Sequence, residues 1–166
     1  MYKNYLYFHN NNERYILRKR GIVLKENINA LDEINKGANM GTDAIDFILD
    51  KVEDDDFKDL LLNHYNKYKD ISRKIKSIYE KYNSEDTPHE TNSIDKVMTW
   101  YGVEMKTLTD HSNSKIAELL MQGTNRGIIE GRKIYNNKKL DKEVLDIVKE
   151  YVDMQENSIE ELKKYL

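Results

Sequence analysis

The stretch from Ser114 to Tyr135, SKIAELLMQGTNRGIIEGRKIY, decides the fold of this chain. It has the apolar spacing of a core helix, yet its centre carries the frame G-T-N-R-G between Gly123 and Gly127. The same frame, G-A-N-M-G from Gly37 to Gly41, lies inside another helical stretch, ALDEINKGANMGTDAIDFIL. Each glycine costs roughly 1 kcal/mol in a helix, and close packing of a partner helix offsets that cost. We therefore predict an internal repeat of a helical hairpin, with these glycines where the first and third helices approach each other.

The composition limits the class of protein, the kinds of metal site and the partners that are possible. The chain has 166 residues, 34% charged and 39% hydrophobic, with one proline, which is typical of a single helical domain. It has no cysteine, so disulfides and Cys-ligated metal sites are excluded. The net charge of −3 is too small to indicate nucleic acid or an acidic substrate as a partner. Because no apolar run reaches the roughly 20 residues of a membrane span, and no signal-peptide core is visible, we predict a cytoplasmic location.

The first 23 residues differ from the rest of the chain. They contain five basic residues and one acidic residue, a charge of +4, whereas the other 143 residues hold 22 bases and 29 acids. We predict a basic N-terminal extension (residues 1–23), either a frayed arm or a weak hairpin around the turn-prone NNNE, followed by the bundle (residues 24–166). The extension is either dispensable or the result of a start site placed upstream, with Leu24 as an alternative start.

Apolar residues at alternating steps of three and four predict four long helices and one shorter helix. The long helices cover Glu26–Val52, Asp56–Tyr82, Ser112–Asn136 and Asp141–Tyr165, and the shorter one covers Ser93–Leu108. The acidic run from Glu53 to Asp56 ends the first helix and supplies caps for the second. The predicted order is hairpin, long crossover, hairpin.

This order resembles the ferritin-like four-helix bundles, in which a long link joins two helical hairpins. The resemblance is carried by the two G-x-N-x-G frames, by the crossover stretch DKVMTWYG at Asp95–Gly102, and by SKIAELLMQG at Ser114–Gly123. Together they are similar to an uncharacterised bacterial ferritin-like family of spore-forming anaerobes. The match covers about Glu26 to Leu166, and it implies an all-α, up-down bundle with a short extra helix in its crossover.

A ferritin-like di-iron site needs a Glu from each of two helices and Glu-x-x-His from each of the other two. No Glu-x-x-His occurs in this chain, and Leu61 stands where His64 would require a Glu. We therefore assign no catalytic, cofactor or metal residues. An alternative is a degenerate metal-binding bundle whose candidate ligands are Asp46, His64, Glu118, Glu130 and Glu156.

Several polar residues allow more than one interpretation. Glu130 is expected to pair with a neighbouring basic residue, and His64 to be a boundary residue. Asp110, next to His111, is better explained as a helix cap than as part of an acid–base dyad. Asn39 and Asn125 either bond to each other across a pseudo-twofold axis or point to solvent.

The leading functional hypothesis is a non-catalytic structural or interaction protein that forms a homodimer, for which the resemblance implies a stress or sporulation role. Trp100 lies either at the dimer interface or in a groove of its own bundle. The alternatives are the metal-binding bundle described above and a nucleic-acid or membrane-surface adaptor that uses the basic extension.

Overall fold

The computed structural model describes residues 3–84, 86–88, 108–137 and 139–166, with side chains from residue 20 onward. The helices are α1 (Lys3–Leu49), α2 (Asp55–Tyr79), α3 (Asn113–Asn137) and α4 (Lys142–Leu162), and α4 continues into a 3₁₀ turn at Lys163–Tyr165. The described ranges contain no strand, and none of their helices is both long and apolar enough to cross a membrane. The prediction of an all-α bundle is therefore confirmed.

Side-chain contacts fix the directions of three neighbouring helices. The Tyr79 hydroxyl donates to Asp32 at 2.7 Å and Ser72 donates to Asn39 at 3.4 Å, so α1 and α2 are antiparallel. Lys81 pairs with Glu143 near the end of α2 and the start of α4, whereas Lys67, earlier in α2, pairs with Glu161, later in α4. Hence α2 and α4 are also antiparallel, and α1 and α4 run in the same direction.

The direction of α3 gives the bundle the predicted order of hairpin, long crossover and hairpin. Gly131 packs on Val152 and Gly127 packs on Gln155, so α3 is antiparallel to α4 and parallel to α2. The end of α2 and the start of α3 therefore lie at opposite ends of the bundle. The intervening chain must cover the length of α2, about 37 Å for 25 residues. The predicted crossover helix at Ser93–Leu108 and its Trp100 lie outside the described residues, except that Leu108 is described and is not helical.

Each of the four helices buries an apolar stripe. Phe57 and Leu61 in α2 and Val144 and Val148 in α4 are each fully buried. Burial of a side chain of this size contributes roughly 1.5–3 kcal/mol to the free energy of folding, so these stripes supply most of the driving force for folding. The ion pairs between α2 and α4 are solvent-exposed, and pairs of that kind contribute only about 0–1 kcal/mol each.

The helix starts follow capping chemistry, with one correction. Asp54 accepts a 2.8 Å hydrogen bond from the Phe57 N–H, so the acidic run caps α2 as predicted. Asp110 is not the cap of α3, because Ser112 accepts from the Lys115 N–H at 3.3 Å. Asp110 instead accepts a 2.9 Å hydrogen bond from the N–H of Ser112, the residue that precedes the helix.

The N-terminal extension is helical, so the weak-hairpin alternative was wrong. Residues 3–23 belong to the 47-residue helix α1, which contains no proline and only Gly21 as a weak point before residue 24. A helix that is already nucleated in the bundle propagates through Asn residues at small cost per residue, which explains why NNNE does not form a turn. Arg20, Ile22 and Leu24 are exposed.

Among the residues whose side chains are described, the first contacts of α1 with the α3–α4 connection lie close to the predicted boundary. Glu26 accepts from the Lys139 N–H at 3.1 Å, and Asn27 accepts from the Asp141 N–H at 2.9 Å. Asn27 is also the first buried residue among those whose side chains are described. These contacts support a division of the chain near residue 24, which stays a prediction.

Deletion of residues 1–23 is expected to change the thermal midpoint of the bundle by no more than about 2–4 °C, the shift that about 1 kcal/mol produces at this size. The measurement is a circular-dichroism melt of the shortened chain. Asn27→Ala is the matched comparison, because it removes the acceptor of the Asp141 N–H at a position open to water and should cost about 0.5–1.5 kcal/mol. A larger loss from the deletion than from Asn27→Ala would contradict the boundary.

Candidate functional site

A cavity of about 690 Å³ lies between α1 and α3. Its floor is formed by side chains that reach across the bundle from α2 and α4, among them Tyr68 and Tyr151. Both G-x-N-x-G frames border it, and they contribute Gly37, Gly41, Gly123 and Gly127. The repeated sequence frame therefore marks the two walls of one cavity.

The glycines make room for side chains from the opposite helices. The Tyr151 hydroxyl lies so close to both Gly37 and Gly127 that a Cβ at either position would overlap it. The Tyr68 ring lies 2.5 Å from the Cβ position of Gly41, and the Gln155 amide would overlap a Cβ at Gly127. The sequence predicted that a facing helix backbone would occupy this space, and aromatic and amide groups occupy it instead.

These inserted side chains form a buried, neutral hydrogen-bonded group. The Tyr68 hydroxyl donates to Gln155 Oε1 at 2.9 Å, and Gln155 is only 1% exposed. Burial raises the pKa of Tyr68 to about 12, against a smaller opposing effect of a hydrogen bond with Thr124. Burial, together with the nearby Tyr68, also raises the pKa of Tyr151. Both phenols are therefore uncharged at neutral pH.

His64 borders the cavity and belongs to a partly buried pair that the sequence did not reveal. Its Nε2 lies 2.6 Å from the Glu161 carboxylate, and Lys67 lies 3.3 Å from the same oxygen. Burial lowers the pKa of His64, and this outweighs the raising effect of Glu161. Burial alone would raise the pKa of Glu161, but the hydrogen bonds from His64 and Lys67 bring it below its usual range. The imidazole is thus neutral and donates to a carboxylate. His64 is buried, which corrects its predicted boundary position.

The candidate metal ligands do not come together. Three of the acids have basic partners elsewhere: Glu118 pairs with Lys115, Glu130 with Lys133 and Glu156 with Arg132. Asp46 is exposed, and His64 is held by Glu161. Within the described ranges, no group of three or more His, Asp or Glu side chains is placed to hold a metal ion. The predicted pairing of Glu130 with a neighbouring base is present in the structure.

Two further predictions concern polar pairs. Asn39 accepts from Ser72, while Asn125 is exposed, so they do not bond to each other and Asn125 points to solvent. His111 is exposed and its Nε2 lies 3.1 Å from the Leu108 carbonyl, so it does not form an acid–base dyad with Asp110.

Comparison with solved structures identifies the architecture. The chain matches a protein described as a dodecameric thioferritin in the bacterial domain, the bacterioferritin-related protein from Bacteroides fragilis. The match has a TM-score of 0.68 and covers 88% of both chains at 15% sequence identity. The fold is ferritin-like. Neither a comparison with protein-family models nor one with curated protein sequences finds a match.

The described interior of this ferritin-like bundle does not fit a di-iron centre. Such a centre requires several carboxylates that converge with imidazoles on paired cations. Here the groups that converge are the phenols of Tyr68 and Tyr151 and the amide of Gln155, with the Glu161 carboxylate held by His64 and Lys67. Protonated phenols and an amide do not supply the negative charge that paired iron cations require, so this arrangement does not fit a di-iron site.

Gly127→Ala is expected to destabilise the bundle by about 1–3 kcal/mol, because the added methyl group displaces Gln155 from its bond with Tyr68. Chemical denaturation measures the change. Gly21→Ala is the matched control, since a Cβ at Gly21 meets nothing within 4 Å and alanine favours a helix. Equal stability of the two variants would contradict the packing role of Gly127.

His64 is expected to make the stability fall as the pH decreases below about 6.5, its ordinary pKa. Its folded-state pKa is lowered, so the unfolded chain binds the proton first. Stability is complete above pH 6.5 and is lost toward the folded-state pKa, by at most about 1.4 kcal/mol per pH unit. Denaturation at pH 7.5 and 5.5 should show a smaller loss in His64→Gln than in the wild type. His111→Gln, at an exposed site, should keep the wild-type loss, and the same loss in His64→Gln would refute the assignment.

Proposed function

We propose that this protein is a non-catalytic, ferritin-like structural or interaction protein, with no di-iron reaction of its own. The observation that supports this is the Tyr68–Gln155 hydrogen bond in the bundle interior, with Tyr151 packed beside it. These groups are neutral, buried and engaged with one another or with glycine backbone. Acid–base catalysis in this interior would need charged or titratable groups that converge on a substrate. Among the described residues, the candidate acids Glu118, Glu130 and Glu156 are each paired with a base instead.

The metal-binding alternative is less well supported, because four of its five candidate ligands have other partners and the fifth, Asp46, is exposed. Elemental analysis of protein purified without a His tag tests it directly. We expect far less than one transition-metal atom per chain, and no change in the thermal midpoint on addition of a chelator. A stoichiometric metal that is lost in Glu156→Gln but retained in Asp43→Asn would overturn the proposal.

We also propose that the bundle acts as a homo-oligomer, and a homodimer is the simplest such assembly. The ferritin-like neighbour is named as a dodecamer, which supports self-association of this fold. Sedimentation equilibrium at micromolar concentration should therefore give a mass above the 19.7 kDa of one chain. A single species at the monomer mass would refute this proposal. Trp100 lies outside the described residues, so its position at an interface stays a prediction. Sedimentation of Trp100→Ala under the same conditions tests whether the assembly depends on this side chain.

Three finer points stay predictions. They are the cytoplasmic location, the stress or sporulation role, and the adaptor function of the basic N-terminal helix. The last is supported only by the +4 charge of residues 1–23, because the rest of the chain is acidic. The chain that lacks residues 1–23 tests the adaptor function separately, because only that function requires those residues.

A further inference from the structure

We propose that the cavity between α1 and α3 binds a neutral, predominantly apolar small molecule. At about 690 Å³ it falls within the range of roughly 300–1,000 Å³ that ligand sites occupy. Nothing in the non-catalytic role described above uses this space. The inference therefore goes beyond that role and does not depend on it.

The walls of the cavity are largely apolar. The side chains that supply this character are contributed by α1, α3 and α4: Ile34, Ala44, Ile45, Leu120, Ile134 and Leu162. The glycines add bare backbone between them. Ala44 and Ile134 are half-exposed at this surface and the other four lie buried behind it, so an apolar occupant would make dispersion contacts chiefly with these two side chains and with the glycine backbone.

The interior carries hydrogen-bonding groups but no charge. Tyr68, Tyr151, Thr124 and Gln155 line it as neutral groups, and His64 is held neutral by burial. An ionised group of a ligand would lose its hydration here without finding an opposite charge, which is strongly unfavourable. The part of a ligand that enters the cavity is therefore uncharged.

The charged residues that line the cavity stand at its solvent side and balance one another. Glu33, Arg126 and Glu130 are exposed and Lys36 is half-exposed, which gives two charges of each sign. Glu130 is already paired with Lys133. Because the opening has no excess of either charge, it does not select an anion or a cation.

The first experiment titrates the full chain with N-phenyl-1-naphthylamine, a neutral apolar dye that fluoresces when it leaves water. We expect one dye per chain with a dissociation constant on the order of 10 µM. The dye should also raise the thermal midpoint, since it binds only the folded state. Absence of saturable binding would overturn the proposal.

The second experiment compares two competitors with the same carbon chain. 1-Decanol should displace the dye, whereas decanoate should require at least about ten times the concentration, because its carboxylate remains charged at pH 7.5. Tighter binding of decanoate, abolished in Arg126→Gln, would overturn the neutral class and assign an anionic ligand to the opening.

The third experiment places the ligand in the cavity. Ala44→Leu fills part of the space from a half-buried position on α1, and it should weaken dye binding at least about tenfold without lowering the thermal midpoint. Asn29→Leu adds the same side chain at an exposed position of the same helix outside the cavity, and it should bind as the wild type does. Equal dye binding by both variants would show that the dye lies elsewhere and would overturn the proposal.

Discussion

The close contact between the tips of three long side chains and the bare backbone of glycines is the constraint on which the structure depends. Tyr151, Tyr68 and Gln155 cross the bundle from α2 and α4 and end against α1 and α3, where no Cβ is tolerated. Glycine weakens a helix, but packing of the inserted groups offsets that cost. These groups occupy the volume that a side chain at each glycine position would fill. The spacing of α1 and α3 is thus set by side chains of the other two helices.

This arrangement changes what the interior of a ferritin-like bundle can do. Carboxylates in such an interior must be neutralised by cations, since charge without a partner is costly to bury. Here the inserted groups are phenols and an amide, which need only hydrogen bonds, and Tyr68 and Gln155 supply one to each other. The Glu161 carboxylate, which contacts His64 at the edge of this cavity, is held by His64 and Lys67. The space left over becomes a cavity with a neutral floor, and its charged lining residues stand at its solvent side.

The sequence predicted the four helices, their order and the buried stripes because each depends on local spacing of apolar residues. It also identified the glycines that border the cavity, since paired glycines within helices require a packing reason. It could not identify what lies against them, because Tyr151 and Gln155 look like ordinary members of a core stripe. The partnership of His64 with Glu161, 97 residues away, left no local signal. The N-terminal helix was missed because the propensity of NNNE favours a turn, and continuation of α1 overrides it.

The bond between Asn27 and the Asp141 N–H has a consequence for how the molecule folds. Asp141 stands at the N-cap of α4 but makes no capping bond with its own side chain, and its amide is satisfied by a residue 114 positions earlier. The α3–α4 hairpin therefore gains this contact at the start of α4 only when α1 is packed against it. Contacts within each hairpin close quickly because they are local, whereas this one closes across most of the chain. The bond thus links the start of the second hairpin to the first helix of the chain, and the stability of each hairpin depends in part on the presence of the other.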